Sequence, residues 1–474
     1  MASKTQVGEG GMTDSGGRAA GDASATDSLQ DSDAELSEAG GAPDIIERHL
    51  IRYAGDFLPL LIERANGSYV YDEDGHAILD FTSGQMCATL GHNHPAVNEA
   101  IHRACGQVTH LFSWMLSGPV VELCGRLAAL LPPSLQKVML LSTGGESNEA
   151  ALRLAKLKTG RFEIVGLTGS FHGMTGGAGA STYAAGRTGY GPAVPGTMAI
   201  PAPNCYRCPI RHCVERCDLA CLEAGFELID SQSVGSLAAF IAEPVISAGG
   251  VIVPPPGYFP RLKELCAARD MLLILDEAQT GLGRLGAHFA FEQDGAVPDI
   301  LTLSKTLGGG LPLSATVTGD DIEAVCHARG FLHLTSHQSD PLPAAVGLAV
   351  LEVIERQQLA PRAVEMGACL ERGLKELMQR YEVVGDVRGR GLLWGVEIVK
   401  DRLSREPNPE IGAAVSRRCL ELGLSMNIVN FPASSSVWRI APPLTVSSQE
   451  IDSALAILDQ AVGECLAAAK TAQT

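Results

Sequence analysis

The chain has 474 residues, 46% of them hydrophobic and 5% aromatic, with 53 glycines and a formal net charge of −18. That length buries a large core in more than one domain or subdomain, and the glycine content fits a soluble α/β enzyme with many tight turns. The acidic balance argues against nucleic-acid binding, which calls for basic patches.

Much of the charge lies at one end. Residues 1–44 hold nine acidic and two basic residues among Gly, Ser, Ala and Thr. Such a stretch buries too little apolar surface to offset its ordering entropy and reads as a disordered acidic tail. It lacks the apolar centre of a secretory signal and the arginine-rich pattern of a transit peptide. No stretch approaches the roughly 20 apolar residues of a membrane span, so neither membrane nor nucleic acid is an expected partner and the expected location is cytoplasmic. Thirteen cysteines in a chain this long read as mostly reduced and buried.

After the tail, Glu63 to Asp80 reads as a hairpin around Asp72-Glu73-Asp74-Gly75. From about 117 to 343, β-type runs alternate with helical patterns such as Glu149–Lys158 and Tyr258–Ala268, which predicts a parallel sheet covered by helices. Each of five runs delivers polar or glycine-rich chemistry at its end. Val138–Leu141 leads into S-T-G-G-E-S-N-E-A, and Ile164–Leu167 into T-G-S-F-H-G. Ala238–Ala242 leads into Glu243-Pro244, Met271–Leu275 into D-E-A-Q, and Ile300–Leu303 into S-K-T-L-G-G-G. At Ala344 a long amphipathic helix begins, and the remainder, through Val383–Val399 and Ser425–Leu444, reads as a smaller α+β unit without internal repeats.

Asp276 and Lys305 are the most informative pair. An acidic residue can hold a pyridinium nitrogen while a lysine amine condenses with an aldehyde, which together describe a pyridoxal 5'-phosphate (PLP) site. Alone, a lysine after a buried strand is usually a solvated charge and an Asp there a helix N-cap. Repetition at the same end of five strands favours a site, because ligands of open parallel sheets collect at the carboxyl ends. Ser142-Thr143-Gly144-Gly145 lets backbone approach a phosphate at a helix start. Phe171, beside His172, can stack on a pyridine face, although a lone Phe is more often core. Gln279 lies within reach of a ring hydroxyl, and Ser336 with His337 offers polar groups in a loop. Arg439, beside an apolar stretch, is either paired structurally or waits for a substrate carboxylate.

The order S-T-G-G-E-S, S-F-H-G, E-P, D-E-A-Q-T-G-L-G-R and S-K resembles the class III aminotransferases of PLP fold type I. The likeness runs over nearly everything from 48 to 464. Within that family L-D-F-T-S-G-Q-M, G-H-N-H-P, G-D-V-R-G-R-G-L-L-W-G-V-E-I-V-K-D and R-I-A-P-P-L-T-V are most similar to the 2,2-dialkylglycine decarboxylases. The resemblance implies an α/β fold: a large PLP-binding domain over 111–345 with a mostly parallel sheet, and a smaller α+β domain from 45–110 and 346–474. It implies decarboxylation of a dialkylglycine such as 2-aminoisobutyrate to a ketone and CO2, then amino transfer to pyruvate giving L-alanine. The alternative within the family is an ω-aminotransferase for a diamine or ω-amino acid.

By the same resemblance Lys305 carries the cofactor and moves the substrate proton, Asp276 pairs with the ring nitrogen, Gln279 with the ring oxygen, and Phe171 stacks on the ring. Thr143, Gly144, Gly145 and, from a second subunit, Ser336 bind phosphate, with His172 and Glu243 completing the cofactor set. Gln85 holds the substrate carboxylate for cleavage and Arg439 holds it in the ring plane, beside Met86 and Ser247. The protein is then a homodimer or homotetramer. An alkali cation, K+ or Na+, is expected on Leu111, Ser113, Ser336, Gln338 and Asp340, whose oxygens suit a hard ion. Phe171 replaces the decarboxylases' Trp and Ser336 their Thr, and Leu131 stands where a second cation site has a threonine hydroxyl. N-C-Y-R-C-P, from Asn204, has no counterpart in those enzymes. Its Cys205 and Cys208 suit a zinc site with Cys213 and Cys217, while Cys213, Cys217 and Cys221 equally suit one buried helical stripe.

Overall fold

The computed structural model describes residues 42–53, 57–58, 60–208, 210, 217–431 and 435–471. The chain forms two compact units, Met1–Leu60 and Leu61–Thr474. In the first, one helix spans Ala42–His49. It begins inside the last residues of the expected tail, whose preceding part lies outside the described residues.

The second unit opens with β1 (Ile62–Asn66), β2 (Tyr69–Asp72) and β3 (Ala77–Asp80). The expected hairpin is β2–β3, but β1 pairs antiparallel with β2 through the two-residue turn Gly67-Ser68, making a three-stranded meander. Gly67 sits at φ 57, the left-handed geometry that such a turn needs at its first residue.

Next come β4 (Lys137–Leu141), β5 (Glu163–Leu167), β6 (Thr197–Ile200), β7 (Leu237–Ala242), β8 (Leu272–Asp276), β9 (Ile300–Leu303) and β10 (Ser314–Thr318). They form one sheet in the order β4-β10-β9-β8-β7-β5-β6. Only β10 runs against its neighbours, so the other six strands point the same way. β7 and β9 are buried at every position, which is why they read as continuous apolar runs without alternation.

Helices cover this sheet. The first, Gly144–Thr159, starts where the Thr143 side chain accepts from the Glu146 amide (3.3 Å) and Glu146 reaches back to the Ser142 amide (2.8 Å). It stops at Gly160, φ 69, whose N–H caps the Lys156 carbonyl. The helix expected at Ala344 begins three residues earlier, at Pro341, a residue suited to a first turn.

The C-terminal part adds β11 (Val384–Arg390), β12 (Leu393–Ile398), β13 (Leu424–Ser425), β14 (Asn427–Phe431) and β15 (Ser435–Ile440). β11-β12-β15-β14 is an antiparallel sheet, while β13 pairs parallel with β3 of the N-terminal meander. The α/β architecture with a mostly parallel central sheet is therefore as expected. The helical cysteine stripe is not: the helix there spans Ala220–Gln232, so Cys217 lies ahead of it and only Cys221 of the described pair is inside and buried.

Candidate active site

The parallel strands release their last residues at one edge of the sheet, and there the polar chemistry converges. Asp276 ends β8, Glu243 follows β7, and Lys305 stands two residues beyond β9 at φ 48. A cavity of about 180 Å³ lies between the Gly144–Gly145 turn, Phe171, Asp276, Gln279 and Lys305. A larger cleft of about 430 Å³ runs along Met174–Val194. Its only charged lining residue, Arg187, donates to the Ala180 and Thr182 carbonyls and offers no comparable chemistry.

Asp276 is buried but held as an anion. Oδ2 accepts from Asn148 Nδ2 (2.7 Å) and faces His172 Nδ1 (2.9 Å), while Oδ1 accepts from the Ala278 amide (3.1 Å). Burial alone would raise its pKa; the His172 bond and charge, Lys305 and Asn148 outweigh that and hold it below the usual carboxylate range. Asn148 is itself fixed, donating to the His172 carbonyl (2.8 Å) and accepting from Thr302 Oγ1 (2.8 Å). Sequence reasoning missed Asn148, although it sits one turn into the helix after the glycine turn and so faces the same edge as Gly144.

Burial lowers the Lys305 pKa and the nearby Arg439 charge adds to this, against the opposing pull of Asp276, Cys87 and Glu243. Burial pushes Glu243 up to about 7, with Asp276 adding to the rise, even though it accepts the Phe171 amide (2.8 Å) and the Ser247 amide (3.1 Å).

A second set of segments approaches Lys305 from elsewhere in the chain, where Cys87 and Arg439 act on its charge; none of them lines the cavity of about 180 Å³, and Gln85 is exposed. Ser83, Gly84, Gln85 and Met86 all have positive φ, between 48° and 63°, a single left-handed turn. Left-handed residues cost roughly 1–2 kcal/mol each. Asp80 offsets this by accepting the Thr82 amide and hydroxyl on Oδ1 and the Gly84 amide (2.7 Å) on Oδ2, which also faces His92 Nε2 (2.9 Å). Ser83 Oγ donates to the Ala441 carbonyl, tying the turn to the end of β15. Met86 packs with Val245, Val251, Leu393 and Ala441.

Arg439, on β15, is 8% exposed and makes no hydrogen bond or ion pair among the described residues. Burial lowers its pKa, with Glu243 the one opposing charge. A buried guanidinium without a carboxylate is costly unless something else neutralises it. Of the two sequence readings for Arg439, structural pairing is excluded among the described residues.

The expected cation ligands converge only in part. Ser113 Oγ donates to the Thr335 carbonyl (2.9 Å), which brings it to the loop carrying Ser336, Gln338 and Asp340. The Asp340 carboxylate faces two imidazoles, His110 Nδ1 at 2.6 Å and His337 Nδ1 at 2.7 Å. These three are the one His/Cys/Asp/Glu group with metal-compatible spacing among the described residues, so Cys205, Cys208 and Cys217 form no such cluster. Cys213 lies outside the described residues. Ser336 is exposed, and no bond joins it to the cavity of its own chain.

The aminotransferase class-III family profile matches residues 52–462. The chain belongs to the class III aminotransferase family. It is 50% identical over 416 residues to an uncharacterized aminotransferase of Schizosaccharomyces pombe, covering 88% of this chain and 93% of that protein. It is 33% identical to human mitochondrial alanine–glyoxylate aminotransferase 2 (85% and 82% covered) and 32% identical to 5-aminovalerate aminotransferase of Pseudomonas aeruginosa (87% and 96%). Among solved structures, a Bacillus anthracis aminotransferase superposes with a TM-score of 0.85 at 28% identity, covering 92% and 99%. An amine transaminase from an uncultivated Pseudomonas species, in its PLP-bound form, superposes with 0.82 at 29%, covering 88% and 99%.

PLP is the cofactor of class III aminotransferases, and the residues of this family member fit it. The carboxylate of Asp276 suits a protonated ring nitrogen, and Gln279 Oε1 and Ser304 Oγ are buried without hydrogen-bond partners beside the cavity. A Cβ on Gly144 would approach Ser304 Oγ to 2.9 Å, so glycine lets this turn close against Ser304. Among the described residues, no helix is long and apolar enough to cross a membrane.

Proposed function

We propose that this class III enzyme transfers an amino group from a donor amine to a 2-oxo acid such as pyruvate, with PLP on Lys305 as carrier. The observation that carries the reading is Arg439, a buried cation without a carboxylate partner, electrostatically coupled to Lys305 and Glu243. A 2-oxo acid brings the missing carboxylate. PLP, when bound, supplies the aldehyde that captures an amine and the electron sink that weakens a bond to the captured carbon. Asp276 would hold the ring nitrogen protonated, Gln279 would take the ring oxygen, Phe171 would offer its face to the ring, and the Thr143–Gly145 turn would hold the phosphate. Lys305 Nζ, with its lowered pKa, moves the proton at the substrate carbon as a positioned acid–base.

The relative named for 5-aminovalerate favours an ω-amino acid donor over a dialkylglycine, and the one named for alanine–glyoxylate transfer supports a 2-oxo acid acceptor. A second reading, decarboxylation of a 2,2-dialkylglycine, draws support from the left-handed Ser83–Met86 turn, since strained backbone is retained where it aims a functional side chain, here Gln85. A dimer in which Ser336 of the partner subunit reaches the phosphate is supported by the exposed run Phe112, Trp114, Met115 and Leu116. The Ser113 and Asp340 oxygens support an alkali cation beside that loop.

Incubating the holoenzyme with pyruvate and either 5-aminovalerate or 2-aminoisobutyrate tests the readings together. Alanine from 5-aminovalerate without CO2 is expected. Alanine with equimolar acetone and CO2 from 2-aminoisobutyrate alone would establish the second reading. No alanine from either donor, nor from L-amino acids or diamines, would overturn both.

A further inference from the structure

N-C-Y-R-C-P, the motif that the decarboxylase resemblance leaves without a role, docks its arginine far from its own segment. Arg207 donates through Nε (3.1 Å) and Nη2 (2.8 Å) to Oε1 of Glu397, a fully buried residue of β12. The other oxygen, Oε2, accepts from Arg388 Nη2 (2.7 Å) on β11. Arg388 in turn donates through Nη2 to the Gly250 carbonyl (2.6 Å) and through Nε to the Val251 carbonyl (3.0 Å). Two arginines thus share one buried carboxylate, and one of them grips the loop that follows β7.

That loop begins at the edge of the cavity. It starts at Glu243, whose Oε2 accepts the Ser247 amide, and it ends at Val251, a β-branched residue at φ 52. Such a conformation persists only where the surroundings over-determine it. Val251 packs against Met86, and a Cβ on Gly395 would come within 2.8 Å of the Val251 Cβ, so the loop lies flat on β12. Gly395 is the residue directly paired with Arg439 across β12–β15. The contacts run without a gap from Arg207 through Glu397, Arg388 and Val251 to the strand position beside Arg439.

We infer that Arg207, Glu397 and Arg388 are positioning residues for carboxylate recognition: by clamping the Gly250–Val251 carbonyls they fix the loop against which Arg439 is set. The inference rests on the reading of Arg439 as the substrate-carboxylate site. It gives N-C-Y-R-C-P a role that needs no metal, since the arginine of the motif makes the buried contacts. Arg207 aims two N–H groups of its planar head at one oxygen, so lysine keeps the charge but loses the register.

The test uses the PLP-loaded enzyme and two unreactive probes of one shape, propionate and propionamide, with dissociation constants read from the cofactor absorption. Wild-type enzyme is expected to prefer propionate. Glu397→Gln, close in shape but uncharged, is expected to weaken propionate on the order of tenfold, the scale of a misplaced charge-assisted bond, and to leave propionamide unchanged. Arg207→Lys, a milder change that guards against misfolding, is expected to shift propionate in the same direction by less. Combined with Arg439→Gln, Glu397→Gln should add no further loss, because it acts through that arginine. Equal weakening of both probes, or additive loss in the double variant, would reduce the network to a structural role and overturn the proposal. Equal wild-type affinity for the two probes would instead overturn the reading of Arg439, and the positioning role with it.

Discussion

Around Asp276 the hydrogen bonds are shared out with little left over: Asn148 and His172 share Oδ2, Ala278 takes Oδ1, and Thr302 and the His172 carbonyl hold Asn148 in turn. Across the same cleft, Arg439 has no such partner among the described residues, and the segments beside it carry left-handed backbone at Ser83, Gln85, Met86 and Val251. On the cofactor side the Asp276 carboxylate is saturated and held in one charge state, while Gln279 Oε1, Ser304 Oγ and His172 Nε2 stay without partners. The substrate side keeps an uncompensated cation and strained backbone in place by remote contacts. Saturation suits a group that stays bound; an unmet charge suits one that comes and goes.

Removing the joint between the two sides should have the largest effect. Lys305→Ala is expected to cut turnover by roughly 10²–10⁴-fold, the contribution of a positioned acid–base, or more where cofactor linkage is lost too. Mass spectrometry of the reduced holoenzyme should find the cofactor on Lys305, and linkage to another lysine would break the assignment.

Arg439→Gln attacks the substrate side alone. The specificity constant for pyruvate should fall by roughly 10–100-fold, mostly through KM, while a neutral aldehyde acceptor is affected little. Bound cofactor should stay at the wild-type level, because the Asp276 network contains no part of Arg439, while Lys305 loses the lowering that the Arg439 charge adds. Loss of bound cofactor would mean that the two sides are not separable.

Glu243 borders both sides and titrates near neutrality, burial having pushed it up to about 7. Above that pH it gains a negative charge beside Arg439 and competes with an incoming carboxylate. The pyruvate KM is therefore expected to rise several-fold between about pH 6 and pH 8, and Glu243→Gln should flatten the rise. A wild-type profile that is already flat would uncouple Glu243 from Arg439.

The smallest effect is expected from the medium. If Asp340 and Ser113 hold an alkali cation, rates at matched ionic strength should differ by a few-fold between potassium, sodium and lithium salts. Identical rates in the three salts would remove the cation from the site.

The same contrast governs what the sequence discloses. β7, β8 and β9 are short continuous apolar runs, so the positions just beyond them, Glu243, Asp276 and Lys305, could be located at one sheet edge from the order of residues alone. The segments near 85, 250, 395 and 439 are linked by no local pattern; Arg439 reads only as paired or waiting for a carboxylate, and Gln85 emerges only through resemblance to a family. Arg207, Glu397 and Arg388 were illegible for the same reason, a buried ion-pair network being defined by tertiary contact. The β1 strand was missed because its five residues, I-E-R-A-N, are mostly exposed and show no alternation. The helical reading of Cys213–Cys221 failed because periodicity alone cannot say where a helix starts.

The Ser83–Met86 turn also sets an order of events in time. Its tether, the Ala441 carbonyl, is 358 residues downstream of Ser83. At a synthesis rate of about 5–20 residues per second, the tether leaves the ribosome roughly 20–70 s after the turn itself. Until then four successive left-handed residues have only local contacts to hold them, those to Asp80 and those along their own backbone. The strands that carry Asp276 and Lys305 are synthesised well before this tether.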